Sequence, residues 1–246
     1  EEVMIVLQVF HKEDTILFTL LDALAQEFPD ITSLQYVING KANDTIYDQE
    51  IICYKGQDYI TEVMEALQFR ITAKSFYQTN SLQAFELYKV VRELTDLQGD
   101  ELVYDLYTGT GTIAQFVAQK AQKVVGVDVV PDSINAAKSN AVHNKIDNVF
   151  FETGDMKAIF TEEFIDRHGK ASVVITDPPR DGMHKDVVQQ LLDLSPDRIV
   201  YVSCNSATQA RDLSLMKEQY RLVASQAVDM FPQTHHVENV VLLQKI

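Results

Sequence analysis

Asp105-Leu106-Tyr107-Thr108-Gly109-Thr110-Gly111-Thr112 is the stretch whose reading decides the fold. It follows the apolar run 102–106 (LVYDL), which reads as a strand, and it opens a helix over 112–121. Glycines at a strand-to-helix turn let the backbone approach a ligand closely, and the free N–H groups of a helix start offer hydrogen bonds. A second strand, 123–128 (KVVGVD), completes the unit and ends on Asp128, where a carboxylate can hold ribose hydroxyls.

Three readings of this loop compete. One is a glycine turn that holds no ligand, and the stretch also scans as Gly-x-Gly-x-x-Ala through Ala114, the dinucleotide-binding template. Asp105 separates the other two. A carboxylate ahead of the glycines repels a pyrophosphate but suits the cationic methionine end of S-adenosylmethionine. Gly109 then belongs to the cofactor loop, and Asp155, just past the next strand, is a candidate adenine contact or a solvated loop residue.

Outward from the loop, a helix over 81–97 precedes it. After it come a helix opened by Pro131, strands at 148–153 and 172–176, a helix at 184–194, a strand at 198–202 and a helix at 207–217. Strands alternating with helices predict an open, mostly parallel α/β sheet. The last two strands, near 220–229 and 237–245, have only a Met230-Phe231-Pro232 turn region between them and should pair antiparallel. A Rossmann-like parallel sheet with a terminal antiparallel hairpin is the arrangement of class I S-adenosylmethionine-dependent methyltransferases. Ahead of it, 3–10 reads as a strand and 14–28 as an amphipathic helix with Leu17, Leu20, Leu21 and Leu24 on one face. Strands at 34–38 and 45–53 flank a turn at 39–44, making a small α+β unit. The expected organisation is an accessory unit over 1–75 and a catalytic domain over 76–246.

Composition narrows the setting. The 246 residues are 46% hydrophobic and 23% charged, enough for a core, and no apolar run approaches the roughly 18 residues of a membrane span. Cys53 and Cys204 alone cannot frame a disulfide scaffold or ligate a cluster, so a reducing cytoplasm is the expected location. The net charge of −15 repels phosphate backbones overall, so a nucleic-acid substrate would need a local or separate basic surface. The chain begins at Glu1 rather than Met, which suggests a fragment whose RNA-binding module lies elsewhere.

Three features fall at the carboxyl edge of the predicted sheet, where such sheets bind substrates. They are Asp177-Pro178-Pro179-Arg180, Ser203-Cys204-Asn205, and His235-His236-Val237-Glu238. Each has a bland reading: a rigid turn, a buried small hydrophobe, a surface charge. Together they match methylation at C5 of a pyrimidine. That carbon attacks a sulfonium methyl only after a thiolate has added to C6, and a base must later remove the C5 proton. Cysteine is the nucleophile such chemistry needs, a carboxylate the base, and a second carboxyl can hold the uracil edge. A thiol with an ordinary pKa near 8.5 is only partly ionised at neutral pH, so the helix start beyond Asn205 is expected to help activate Cys204. His235 and His236 invite a metal reading, but adjacent strand residues point to opposite faces and no further ligands accompany them, so no metal is expected.

The chain resembles the RNA uracil-5 methyltransferases that act on transfer RNA and 23S ribosomal RNA. The motifs that carry the likeness are Phe76-Tyr77-Gln78-Thr79-Asn80, Asp105-Leu106-Tyr107-Thr108-Gly109, Asp177-Pro178-Pro179-Arg180, Tyr201-Val202-Ser203-Cys204-Asn205 with Arg211-Asp212, and Phe231-Pro232-Gln233-Thr234-His235-His236-Val237-Glu238. They cover roughly residues 70–246. The resemblance implies Cys204 as nucleophile and Glu238 as proton acceptor. It implies Gln78, Tyr107, Thr112, Asp128, Asp155 and Asp177 along the cofactor and target-base sites, with Gln78, Asp177 and Arg180 at the base. Thr112 stands where the family commonly has Asn. The N-terminal β-barrel of the family and the cluster cysteines of some members are not found in this sequence. The competing readings are an N-methyltransferase using the Asp-Pro-Pro loop, which leaves Cys204 without a task, and a non-catalytic RNA-binding relic of the fold.

Overall fold

The computed structural model describes residues 2–234 and 236–246, and the chain divides into two compact units, Glu1–Tyr77 and Gln78–Ile246. His235 lies outside the described residues.

In the first unit, β1 (Met4–Val9), α1 (Asp14–Glu27) and β2 (Ser33–Ile38) form a βαβ turn with β1 and β2 parallel, and β3 (Ile51–Gly56) adds antiparallel to β2. Leu17 and Leu21 bury against Leu34 and Tyr36, with Leu24 packed beside them. Leu20 instead is 43% exposed, because a three-stranded sheet covers only the line through 17, 21 and 24. The expected strand over 45–53 begins only at Ile51. Local polar side chains win before it: Asn39 Nδ2 donates to the carbonyls of Asn43 (2.9 Å) and Thr45 (3.3 Å), and Asn43 Oδ1 accepts from the Thr45 N–H (3.1 Å). A hairpin of β4 (Tyr59–Met64) and β5 (Leu67–Thr72) completes the unit. Its turn is made by Glu65 and Ala66, with no Gly or Asn to mark it in the sequence.

The second unit carries a seven-stranded sheet among the described residues. Its elements in chain order are α2 (Ser81–Thr95), β6 (Leu102–Leu106), α3 (Thr112–Ala118), β7 (Lys123–Asp128), α4 (Pro131–His143), β8 (Val149–Thr153) and α5 (Glu162–His168). There follow β9 (Val173–Thr176), α6 (Lys185–Leu194), β10 (Arg198–Ser203), α7 (Ser206–Met216), β11 (Tyr220–Val228) and β12 (Glu238–Lys245). Spatial order is β11-β12-β10-β9-β6-β7-β8. β8, β7, β6, β9 and β10 are mutually parallel, whereas β12 lies antiparallel between β10 and β11. The final pair is therefore a hairpin whose second strand enters the sheet interior.

Central parallel strands are buried on both faces, and Val173–Thr176 and most of β10 are fully so. α6 shows why it packs there: Val187, Val188, Leu191 and Leu194 form one apolar stripe. α3 is buried on every side, consistent with its short apolar sequence. α5 has no counterpart among the elements expected from the sequence. Its seven residues are too few for a period to register, and its start depends on Thr161 Oγ1 accepting the Phe164 N–H at 3.1 Å. The order of strands reverses at β6, flanked by β7 and β9, so a crevice opens past the carboxyl ends of β6 and β9. No helix among the described residues is long and apolar enough to cross a membrane.

Candidate active site

Strand register assembles the chemistry. Ser203 at the end of β10 pairs with Asn239 of β12, so the next positions outward, Cys204 and Glu238, come side by side at the carboxyl edge. Asp177 follows β9, the neighbouring strand, and its N–H donates to the carbonyl of Leu106 at 3.3 Å, tying it to the end of β6. Gln209, buried at 1% exposure on α7, holds the pairing: Nε2 donates to the carbonyls of Tyr201 (2.9 Å) and Asn239 (3.1 Å), and Oε1 accepts from Asn239 Nδ2 (2.7 Å).

Electrostatics joins these groups into one cluster. Burial pushes the Cys204 thiol above its usual range, the charge of Glu238 and then Asp177 adds to the push, and the Arg180 guanidinium opposes it by charge and hydrogen bond. The helix start beyond Cys204 is engaged by a side chain of its own. Asn205 caps α7, its Oδ1 accepting from the N–H groups of Ala207 (3.1 Å) and Thr208 (3.4 Å). Burial also raises the Glu238 carboxyl, with Arg180 opposing, and Glu238 Oε2 is a buried oxygen without a hydrogen-bond partner. Such an oxygen is an uncompensated acceptor beside a thiol. Asp177 is raised well above the carboxylate range by burial, then by Glu238 and Asp105.

The glycine loop lies on the other side of the crevice. Burial lifts Asp105 from 3.8 to about 7, against the Thr108 hydroxyl and the Ala114 N–H (3.1 Å) that both donate to Oδ2, with Asp128 adding to the rise. Asp128 Oδ2 accepts from the Gly109 N–H (2.9 Å) and Oδ1 from the Val130 N–H (2.9 Å). Gly109 has φ +54, a conformation that favours glycine, and a Cβ added there would meet nothing within 4 Å, so the loop's outer face stays open. Tyr107, at φ 61, is pushed up to about 12 by burial and then by Asp155, Asp212 and Asp128, which sets its hydroxyl in the same acidic surroundings. Asp155 is exposed and accepts from the Lys157 N–H at 3.0 Å. Thr112 is buried, its hydroxyl 3.3 Å from that of Thr110.

Gln78 stands half-buried at the entrance to α2. Its link to the cluster is indirect: Asn80, which caps α2 through its Oδ1 (Gln83 N–H, 3.2 Å), donates Nδ2 to the carbonyl of Met230 (2.9 Å), on the loop leading to Glu238. Asn80, Thr208, Gln209 and Asn239 were not singled out for any task in the sequence. Of these Gln209 is buried and the other three half-buried, and their partners lie far off along the chain or across the sheet, which no local pattern shows. His236 lies in the same loop, its N–H donating to Thr234 Oγ1 at 3.1 Å, and no group of three or more metal-ligating side chains occurs among the described residues.

Known proteins resemble the chain at two levels. A family model described as tRNA (Uracil-5-)-methyltransferase matches residues 3–246. An uncharacterized RNA methyltransferase of Porphyromonas gingivalis is 58% identical over 244 residues, 98% of this chain and 52% of the relative. The chain thus spans about half the length of the curated relatives it matches. The crystal structure of the Pyrococcus abyssi tRNA (uracil-54, C5)-methyltransferase in complex with S-adenosyl-L-homocysteine superposes with TM-score 0.82 at 32% identity, covering 99% of this chain and 56% of that one. Trm5b from the same organism shares the fold alone, at 15% identity and TM-score 0.62 over 98% of this chain and 72% of that one. The fold is that of class I S-adenosylmethionine-dependent methyltransferases, and the chain belongs to the tRNA (uracil-5-)-methyltransferase family.

Proposed function

We propose that this chain carries the catalytic site of an S-adenosylmethionine-dependent enzyme that methylates C5 of a uridine in structured RNA, transfer or ribosomal. The observation that carries the reading is the pairing of β10 with β12, which sets Cys204 beside Glu238 next to Asp177 and Arg180. The Gln78–Ile246 unit holds this chemistry, and the Glu1–Tyr77 unit is assigned an accessory role.

The cofactor fits the residues present. Gly109 leaves the loop's outer face open, and Asp105 and Asp128 make it acidic, which suits a cation bearing ribose hydroxyls. Tyr107, Thr112 and Asp155 complete the site, with Asp155 toward the adenine. S-adenosylmethionine supplies the electrophilic methyl group.

Cys204, as thiolate, adds to C6 of the uracil and drives electron density onto C5 and the ring carbonyl. Burial and the neighbouring Glu238 and Asp105 disfavour the ionised form of Asp177, and its protonated carboxyl would donate a hydrogen bond where that negative charge develops. Gln78 and Arg180 hold the base. After methyl transfer Glu238 takes the C5 proton through its unpartnered oxygen, the C5–C6 double bond re-forms, and the thiolate leaves. A free nucleophilic thiol stays reduced in cytoplasm, where we place the reaction.

RNA carrying 5-fluorouridine tests this. Fluorine at C5 cannot be removed as a proton is, so the sulfur–C6 bond should persist as a denaturant-stable adduct that Cys204→Ala cannot form. Active methylation with no adduct would leave Cys204 without its role and favour transfer to an exocyclic nitrogen.

A further inference from the structure

Asn205, Thr208, Gln209 and Asp212 fall at i, i+3, i+4 and i+7 along the start of α7, which is one face of a helix. A helix packed on a sheet ordinarily turns an apolar stripe inward. Here the first two turns present polar side chains inward, with Leu213 and Met216 apolar beyond them, and Asp212 is 0% exposed. Burying a carboxylate is costly unless its lone pairs are filled. Those of Asp212 are filled largely by one loop and its neighbour on the helix. Oδ2 accepts from the Met183 N–H and the Tyr201 hydroxyl, both at 2.8 Å, and Oδ1 accepts from Arg211 Nε (2.9 Å) and Nη2 (2.8 Å). Arg211 Nη2 in turn reaches the carbonyls of Asp181 (2.8 Å) and Met183 (3.3 Å). Asn205 Nδ2 and Thr208 Oγ1 each donate to the carbonyl of Arg180 at 3.1 Å. Gly182 closes the fit, since a Cβ there would stand 2.6 Å from Asp212 Oδ2.

We propose that this face of α7 is a clamp: it fixes the backbone of the loop from Arg180 to Met183 so that the Arg180 guanidinium stays at the Cys204 sulfur, making Arg211 and Asp212 positioning residues for the nucleophile. The thiol needs such help. Burial, Glu238 from β12 and Asp177 after β9 all disfavour its ionised form, and Arg180 is the cation that opposes them. A guanidinium on an exposed loop keeps its place only if the backbone beneath it is held. The significance of the clamp rests on Cys204 being the nucleophile, whereas its existence does not.

The rate of iodoacetamide alkylation against pH reads the thiol without RNA. It is measured in a Cys53→Ser background, because Cys53 is exposed and would react as well. Arg211→Met should raise the midpoint and slow alkylation at pH 8 about threefold or more, the scale expected when a cation near a titrating group is displaced. Arg180→Met should do the same, and the double variant should be no slower than Arg180→Met alone. Thr208→Val, which removes one bond to the Arg180 carbonyl, should give a smaller shift in the same direction and serves if Arg211→Met fails to fold. A merely structural role would lower the melting temperature and leave the midpoint in place. An unmoved midpoint in folded Arg211→Met or Thr208→Val, or an Arg211→Met effect that adds in full to Arg180→Met, overturns the clamp. Adduct formation by the unsubstituted chain with 5-fluorouridine RNA reports separately on the catalytic reading.

Discussion

Replacing Asp105 with Asn should stabilise the protein while weakening its hold on the cofactor. The magnitude follows from burial. Asp105 is fully desolvated and its carboxyl is lifted from 3.8 to about 7, so folding at high pH must carry an already ionised carboxylate into a place that disfavours the charge. The sign is that of an acid whose folded value is raised: the penalty is absent below about 3.8, grows as pH rises, and is complete above about 7. At about 1.4 kcal/mol per pH unit the full penalty is about 4 kcal/mol, an upper figure that relaxation of the site will reduce. Asn keeps an oxygen to accept from the Thr108 hydroxyl and the Ala114 N–H, so little else is lost. For a unit of this size that corresponds to a melting temperature higher by up to roughly 8–16 °C at pH 8 and little changed at pH 4. Thermal unfolding of both proteins from pH 4 to pH 8, without cofactor, measures the difference, and S-adenosylhomocysteine titration at pH 8 measures the lost affinity. A difference that does not grow between pH 4 and 7, or an Asn variant less stable throughout, would refute the reasoning.

Three further outcomes are expected. Glu238→Gln should still join Cys204 to C6 but fail to release, so a gel-shifted species that survives denaturant should accumulate on methylated RNA; inactivity without that species moves Glu238 to an earlier step. Gln209→Leu strips Asn239 Nδ2 and the carbonyls of Tyr201 and Asn239 of a partner, which should cost about 2–4 kcal/mol and lower the melting temperature by roughly 4–16 °C; a loss below about 1 kcal/mol would mean the β10–β12 register holds without it. With a net charge of −15, this chain should bind RNA weakly and with a shallow salt dependence compared with the longer Porphyromonas gingivalis relative, by titration at two salt concentrations; equal affinities and slopes would mean the acidic chain holds its own complete RNA surface.

Some of this was legible in the residues. Asp105 and the glycines after it, Pro131 at a helix start, and the apolar stripe of α6 act over a few residues, so the alternation of strands and helices could be read directly. The hairpin of β4 and β5 could not, because its turn lacks the residues that announce one, and α5 could not, because seven residues carry no period. The strand expected over 45–50 failed where Asn39 and Asn43 offered the backbone a nearer partner. The helix start after Cys204 likewise has a nearer partner in the Asn205 side chain.

The sequence by itself determined which groups are available for chemistry and that they stand at strand ends, because strand, turn and cap signals are local. Only the tertiary structure decided how they meet. β12 enters between β10 and β11 and brings Glu238 to Cys204, a pairing of distant segments that no local pattern encodes. Burial then sets the proton affinities of Asp105, Asp177, Cys204 and Glu238, because the cost of a charge depends on what the whole fold removes from water around it.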